Sequence, residues 1–360
     1  MSVLTYQHAK VALATRASEQ VFLGVLKTVA LTLICILGNG AEFSTRALPQ
    51  PKSPCDYLET WLSQDVGNII PDTERAWARG VQSNEDCESV VQQFWAFRDP
   101  TPDTINNEFK EEFYDRILYA NAHFGTGDRI GWKTDRGRVY ITWGPPDRVD
   151  AGTRTHASET WRYLNKDKHY GLEGSIEFED PAGNGNHRII PNATAQRALS
   201  QIPNTRSDIK ELPYGTLILC RRPPQVQLKD LEIVLNVGLT YNLLPFTCRV
   251  EQIRVTESTV LAVIVVDVRK KYLADQHGKQ TQPGAVKVFG LIRKGETPLD
   301  SFEATLSAAS SEGPLESPSA DFLRFRKAVP LFPGTYRIEL AIGDFPTGRL
   351  GTVYQAITVP

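Results

Sequence analysis

The sequence predicts an α+β unit followed by an all-β sandwich of the immunoglobulin type. Three observations carry this. Between residues 56 and 121 apolar side chains recur every three or four positions. After the glycine-rich turn at 125–131 the period drops to two, and from Leu212 onward nearly every segment is short, β-branched and bounded by turn residues. With 360 residues the chain exceeds what a single core usually sustains. The reading is therefore a leader at 1–40, an α+β domain at 41–191, a helix-containing linker at 192–212 and a β-sandwich domain at 213–360.

The first apolar stretch runs from Val21 to Leu37, but Lys27 interrupts it, leaving ten uninterrupted residues from Thr28. A spanning helix needs about 20 and a signal-peptide core about 7 to 15. Lys10, Arg16 and Lys27 lie upstream, and Gly38, Gly40 and Ala41 offer a processing site, so the expectation is export to the periplasm or beyond. The alternative is an inner-membrane anchor formed by 21–37. Four cysteines then remain, Cys55 and Cys87 in the first half and Cys220 and Cys248 in the second. Pairing within each half is the disulfide pattern that respects two domains in an oxidising compartment, with three connectivities open and four buried free thiols as the alternative.

In the α+β part, Ser83 or Asn84 caps a helix whose line is Cys87, Val90, Val91, Phe94 and Phe97, stopped by Pro100. A second helix opens at Asp103 or Thr104 and carries Phe109, Phe113, Ile117, Ala120 and Phe124. Residues 138–143 alternate and are read as a strand, followed by a turn at Gly144, Pro145, Pro146 and Asp147, with further strands at 159–164, 175–179 and 187–190. Beyond the linker, strands are expected at 216–220, 228–237, 247–255, 260–269, 285–293, 302–306, 336–342 and 353–359.

The segments FWAFRDPTPDTINNEF (94–109), YDRILYANAHF (114–124) and GWKTDRGRVYITWGPPD (131–147) resemble the bacterial GWxTD domain family. The motif stands as Gly131, Trp132, Lys133, Thr134 and Asp135, and the likeness covers 81–180. What this resemblance implies is an exported bacterial protein; the family's molecular function is not established, and it brings no catalytic residues.

Forty basic against 42 acidic residues give no electrostatic reason to expect nucleic acid. Neither a dinucleotide fingerprint nor a phosphate loop survives inspection of the glycine spacing, and no HExxH or GxSxG is present. No cofactor and no metal site are expected. The candidate site is the motif with its neighbours: Gly131, Trp132, Thr134, Asp135, Asp147, Glu159 and Trp161. One reading makes these structural, with Thr134 and Asp135 bonding main-chain amides and Trp132 filling a seam. The other makes Asp135 and Glu159 a carboxylate pair beside Trp132 and Trp161, as a glycan hydrolase or lectin would require. The function expected is a non-catalytic binding or assembly module of the cell envelope with a protein partner, the glycan-directed protein being the alternative. Membrane contact is expected only through an uncleaved N-terminal segment.

Overall fold

The computed structural model describes residues 56–81, 83–152, 156–203, 225–273, 285–306, 321–344 and 347–360. The expectations placed on 1–40, on Cys55 and Cys220, and on a strand at 216–220 lie outside the described residues. Residues from Ser53 to Pro360 form one compact unit. Its helical part opens with α1, Asp56–Thr60, which runs on into a π-helical turn, Trp61–Asp65. Then come α2 (Asp72–Arg79), α3 (Asn84–Ala96) and α4 (Glu108–Phe124). Asn107 caps α4, its side chain accepting from the Lys110 amide at 2.9 Å. Trp95 of α3 meets Phe109, Phe113 and Tyr114 of α4 at ring separations of 5.4 to 6.3 Å, so the two apolar lines do pack together.

Residues 138–143 correct the sequence reading: they are helical. A 3₁₀ turn, Gly131–Lys133, leads through Thr134 into α5, Asp135–Trp143. The β-branched alternation of this stretch is overridden by a strong N-cap, and Val139, Thr142 and Trp143, spaced three and four apart, are buried together. The small sheet follows as an antiparallel meander, β1 (Arg148–Ala151), β2 (Ala157–Tyr163), β3 (Gly174–Asp180) and β4 (Arg188–Ile190). Helix α6 (Ala193–Ser200), within the expected linker, buries Ala195 and Ala198 and accepts the Trp143 indole N–H on the Ala198 carbonyl at 2.9 Å.

A second correction falls on 228–237, expected as a strand. It holds α7, Lys229–Asn236, and the burial of Leu228, Leu231, Val234 and Leu235 is a helical stripe. The sandwich proper has β5 (Phe246–Arg254), β6 (Val260–Arg269), β7 (Val286–Lys294), β8 (Thr297–Leu306), β9 (Phe322–Leu331), β10 (Gly334–Asp344) and β11 (Arg349–Val359). Sheet β5-β6-β9 faces sheet β11-β10-β7-β8, every pairing antiparallel. Among the described residues this is an immunoglobulin-like arrangement of seven strands, three on four. Strand β9 was not anticipated, because its Arg324, Arg326 and Lys327 break the apolar pattern. Of the two readings open for Cys248, the structure has the free thiol: it lies on β5 without a disulfide, and burial pushes it up to about 11. Cys87 is disulfide-bonded.

Strand β6 explains how the parts join. Its run VLAVIVVDV is buried on both faces. Val260, Ala262, Ile264 and Val266 enter the sandwich core, whereas Leu261, Val263 and Val265 belong to the core shared with the helices and the small sheet. A continuous apolar strand is what burial on two sides demands, at roughly 1.5 to 3 kcal/mol for each fully buried aliphatic side chain. On the far side of the sandwich α7 covers Phe289, Leu291 and Ala341.

Candidate functional site

The GWxTD residues build the junction between α4, α5 and the small sheet. Gly131 lies so close to α4 that a Cβ there would sit 1.8 Å from the Ala120 carbonyl oxygen, and a Cβ on Gly137 would sit 1.9 Å from the Gly131 carbonyl. Both glycines are required by contact with backbone, which cannot move aside. The Trp132 amide donates to Asn121 Oδ1 at 2.9 Å, while Asn121 Nδ2 donates to the Val255 carbonyl at 3.0 Å, tying the motif to the β5–β6 turn. Thr134 Oγ1 donates to the Gly131 carbonyl at 2.7 Å and accepts from the Gly137 amide at 3.0 Å, the cap that starts α5. Asp135 Oδ2 accepts from the Ile189 amide at 3.0 Å and pins β4.

Each carboxylate has a partner of its own. Glu159 on β2 faces Arg136 at 3.2 Å, and Arg136 also reaches the Gly185 carbonyl and lies over the Phe124 ring. Asp147 lies past the opposite end of α5, a helix of nine residues and so roughly 13 Å long. Its oxygens take the Lys168 ammonium at 2.7 Å, the Leu164 amide at 2.8 Å and His169 Nε2 at 2.9 Å. Lys168 and these other donors hold the Asp147 carboxyl well below the usual carboxylate range. His169 Nδ1 meets the Trp143 carbonyl at 3.0 Å, so this buried ring joins the end of α5 to the turn that follows. In that turn Gly144, at φ 83°, leaves room for the Arg116 guanidinium, which would stand 3.2 Å from a Cβ.

The indoles are core. Trp143 and Trp161 are each 2% exposed, Trp161 lying among Phe124, Tyr140 and Phe178 at 4.8 to 6.2 Å. Trp132 is half-buried under the Lys133 ammonium. Asp135, Arg136 and Glu159 are thus brought near the first turn of α5, Asp147 is not, and neither buried indole offers a face to a sugar. Among the described residues no three His, Cys, Asp or Glu side chains converge as a metal site, and no helix is long and apolar enough to cross a membrane.

The most consequential polar cluster escaped the sequence reading. Asp65, at the end of the π turn, is buried and accepts from Thr256 Oγ1 (2.6 Å), Thr259 Oγ1 (2.6 Å), Ser258 Oγ (3.2 Å) and Tyr114 Oη (3.0 Å). Tyr114 Oη in turn accepts from the Trp61 indole at 3.1 Å. Burial outweighs these donors and pushes the Asp65 carboxyl up to about 6. The only sequence signal was a run of hydroxyls, Thr256, Ser258 and Thr259, in the turn between two apolar strands. Elsewhere, a cleft of about 200 Å³ opens between α3, α4 and the β9–β10 turn, with Trp95, Ile105, Leu331 and Phe332 in its wall and the Lys110–Asp300 ion pair (2.7 Å) beside it; none of the motif residues lines it.

The interlocked glycines, cap and aspartate at 131–137 coincide with a known family. Residues 67–184 match the GWxTD domain. The chain carries a GWxTD domain. The match contains the whole of the motif, with β4 and the β5–β6 turn lying beyond it, and the resemblance read over 81–180 is borne out; the function of the GWxTD family is not established. No curated protein matches. Among solved structures, the chicken interferon gamma receptor alpha chain is similar at 15% identity over 31% of this chain and 50% of that one, with a TM-score of 0.20. An MHC-like protein, MILL2, is similar at 10% identity over 57% of this chain and 68% of that one, with a TM-score of 0.21. This chain thus spans half the length of the receptor chain, and the sandwich assignment rests on its own strand order.

Proposed function

We propose that this GWxTD protein is a non-catalytic binding or assembly module of the bacterial cell envelope, exported by its N-terminal segment. The observation that carries the reading is the occupation of the motif: Asp135 is spent on the Ile189 amide, Glu159 on Arg136 and Thr134 on the α5 cap. A hydrolase needs two carboxylates facing a shared space at a separation set by its stereochemistry; here each is turned to a structural partner. What remains for recognition is a rigid sandwich with its loops and strand edges. The disulfide at Cys87 supports an oxidising compartment, and the apolar stretch at 21–37 supports export.

The test is cross-linking in the native bacterium, followed by purification through a tag at Pro360 and mass spectrometry that also reads the N-terminus. The account expects a stoichiometric envelope protein on the same cross-linked species and an N-terminus near residue 41. Recovery from the cytosol with residue 1 intact would overturn it.

A further inference from the structure

His169 lies in the loop 164–173 between β2 and β3, and its ring is closed to water at 1% exposure. Both ring nitrogens face acceptors. Nδ1 is 3.0 Å from the Trp143 carbonyl, an oxygen with no proton to give, and Nε2 is 2.9 Å from Asp147 Oδ2. That oxygen also accepts from the Leu164 amide at 2.8 Å, while Oδ1 takes the Lys168 ammonium at 2.7 Å, so the donors converge on an ionised carboxylate. A neutral imidazole carries one N–H and one bare lone pair. Whichever nitrogen were bare here would set its lone pair against that of an oxygen, at a cost that burial makes larger. Turning the ring over would place carbons at both positions and lose both bonds. The doubly protonated ring satisfies the site.

The loop is held against local strain. Tyr170, at φ 50°, occupies the left-handed region, which an aromatic residue adopts only when its surroundings impose it. The next two amides, Gly171 and Leu172, donate back to the Lys166 and His169 carbonyls, and the Leu172 side chain is buried. The other ionisable groups around the ring are engaged elsewhere. Tyr163 of β2 meets the imidazole edge-on at 4.8 Å and donates its hydroxyl proton to the Gly144 carbonyl. Arg116 of α4 is taken by Glu112 and by the Tyr170 hydroxyl, and Lys168 sits on the other oxygen of Asp147.

We propose that His169 is a proton-operated latch: as the imidazolium it ties the end of α5 to the β2–β3 loop, and loss of one ring proton to solvent as pH rises frees that loop. The bond to Asp147 joins opposite charges and is the stronger of the two, so the Nδ1 proton leaves and the Trp143 contact breaks. Two lone pairs then oppose each other, and the strain at Tyr170 favours release. The latch is closed on the acid side and open on the alkaline side, and imidazole is the side chain that makes this change in the physiological range. The inference stands whether or not the envelope reading holds.

Two NMR readouts on the full chain, taken from about pH 5 to about pH 9, test it. Imidazole nitrogen spectra, assigned with His169→Gln, report the ring, and amide exchange at Gly171 and Leu172, corrected for its intrinsic pH dependence, reports the loop. The expected result is two N–H groups on His169 at the acid end, loss of the Nδ1 proton within the range, and protection of both amides falling about tenfold in the same step, the worth of one hydrogen bond. Amides of α4 should show no such step. His169→Gln keeps a donor for Asp147 but cannot titrate, so its loop should show no step, whereas Lys168→Gln should retain it. A folded-state ring that stays neutral or stays doubly protonated across the range overturns the proposal. So does loop protection that is level while the ring titrates, or a step that survives in His169→Gln. If His169→Gln does not fold, the coincidence of ring and loop titrations in the wild type decides alone.

Discussion

The hydroxyl of Thr256 donates a 2.6 Å hydrogen bond to the carboxylate of Asp65, 191 residues earlier in the chain, and does so in a site from which water is excluded. Through this contact the first helical segment grips the β5–β6 turn, and Tyr114 and Trp61 extend the grip into the helical core. Removing the carboxylate leaves four hydroxyls without their acceptor. Asp65→Ala should lower stability by about 3 to 5 kcal/mol, at roughly 1 to 3 kcal/mol for each buried group left unsatisfied and with some relaxation. Urea unfolding of the variant beside wild type measures it; a loss under about 1 kcal/mol would show that the hydroxyls find other partners.

The same residue makes stability depend on pH in an unusual direction. Its folded pKa, near 6, stands above the ordinary 3.8, so between these values the folded state holds more protons than the unfolded one. The carboxyl therefore contributes stability as pH falls from 6 towards 4, and that contribution is lost as pH rises through 6, amounting to about 3 kcal/mol at 1.36 kcal/mol per pKa unit. Asp147 has the opposite sign: with its pKa depressed by Lys168 and its other donors, its contribution is present above the ordinary carboxylate value and is lost in stronger acid. Unfolding of wild type and Asp65→Asn at pH 4, 5, 6 and 7 separates the two. The wild type should gain on the variant as pH falls, and parallel curves would contradict the assignment.

The motif glycines should be intolerant for a stated geometric reason. Gly131→Ala places a Cβ 1.8 Å from a backbone oxygen of α4, and Gly137→Ala places one 1.9 Å from the Gly131 carbonyl. Each should destabilise by more than about 3 kcal/mol, as overpacking against an immovable backbone does. Gly127→Ala is the internal control: a Cβ there meets nothing within 4 Å, and its melting temperature should stay at the wild-type value. Thermal melts of the three variants are sufficient.

Thr134→Ala removes the acceptor for the Gly137 amide and the donor to the Gly131 carbonyl. A lost N-cap costs about 1 to 2 kcal/mol, and here the cap also closes the 3₁₀ turn. Thr134→Ser should recover most of that loss, since it keeps the oxygen. Hydrogen exchange at the first-turn amides of α5 would report the same difference locally.

Sequence and structure agree most closely where one physical pattern dominates. The α4 line, most of the α3 line, the strands β2 and β3, and the alternation of Tyr336, Ile338 and Leu340 on β10 follow their spacing in burial. The failures are physical as well. Residues 138–143 have a strand-like composition, but the Thr134 cap and the close approach at Gly137 set a helix going before that composition can act. Leu228, Leu231 and Leu235 had helical spacing, and the β-branched residues between them masked it. At the candidate site, Thr134 and Asp135 are partners of main-chain amides as the sequence suggests, but the element whose entry they hold is a helix, not a strand. The Asp65 cluster was illegible because its members are separated by 191 to 194 positions and no local pattern connects them.

We propose that the GWxTD junction holds the fold together and does no chemistry. The most direct measurement is equilibrium unfolding of the Asp135→Ala, Glu159→Ala double variant, with the same preparations assayed against a panel of envelope glycans. The account predicts a lowered unfolding midpoint, from loss of the Ile189 and Arg136 contacts, and no turnover by either protein. Wild-type turnover that the double variant loses while its midpoint stays unchanged would contradict it.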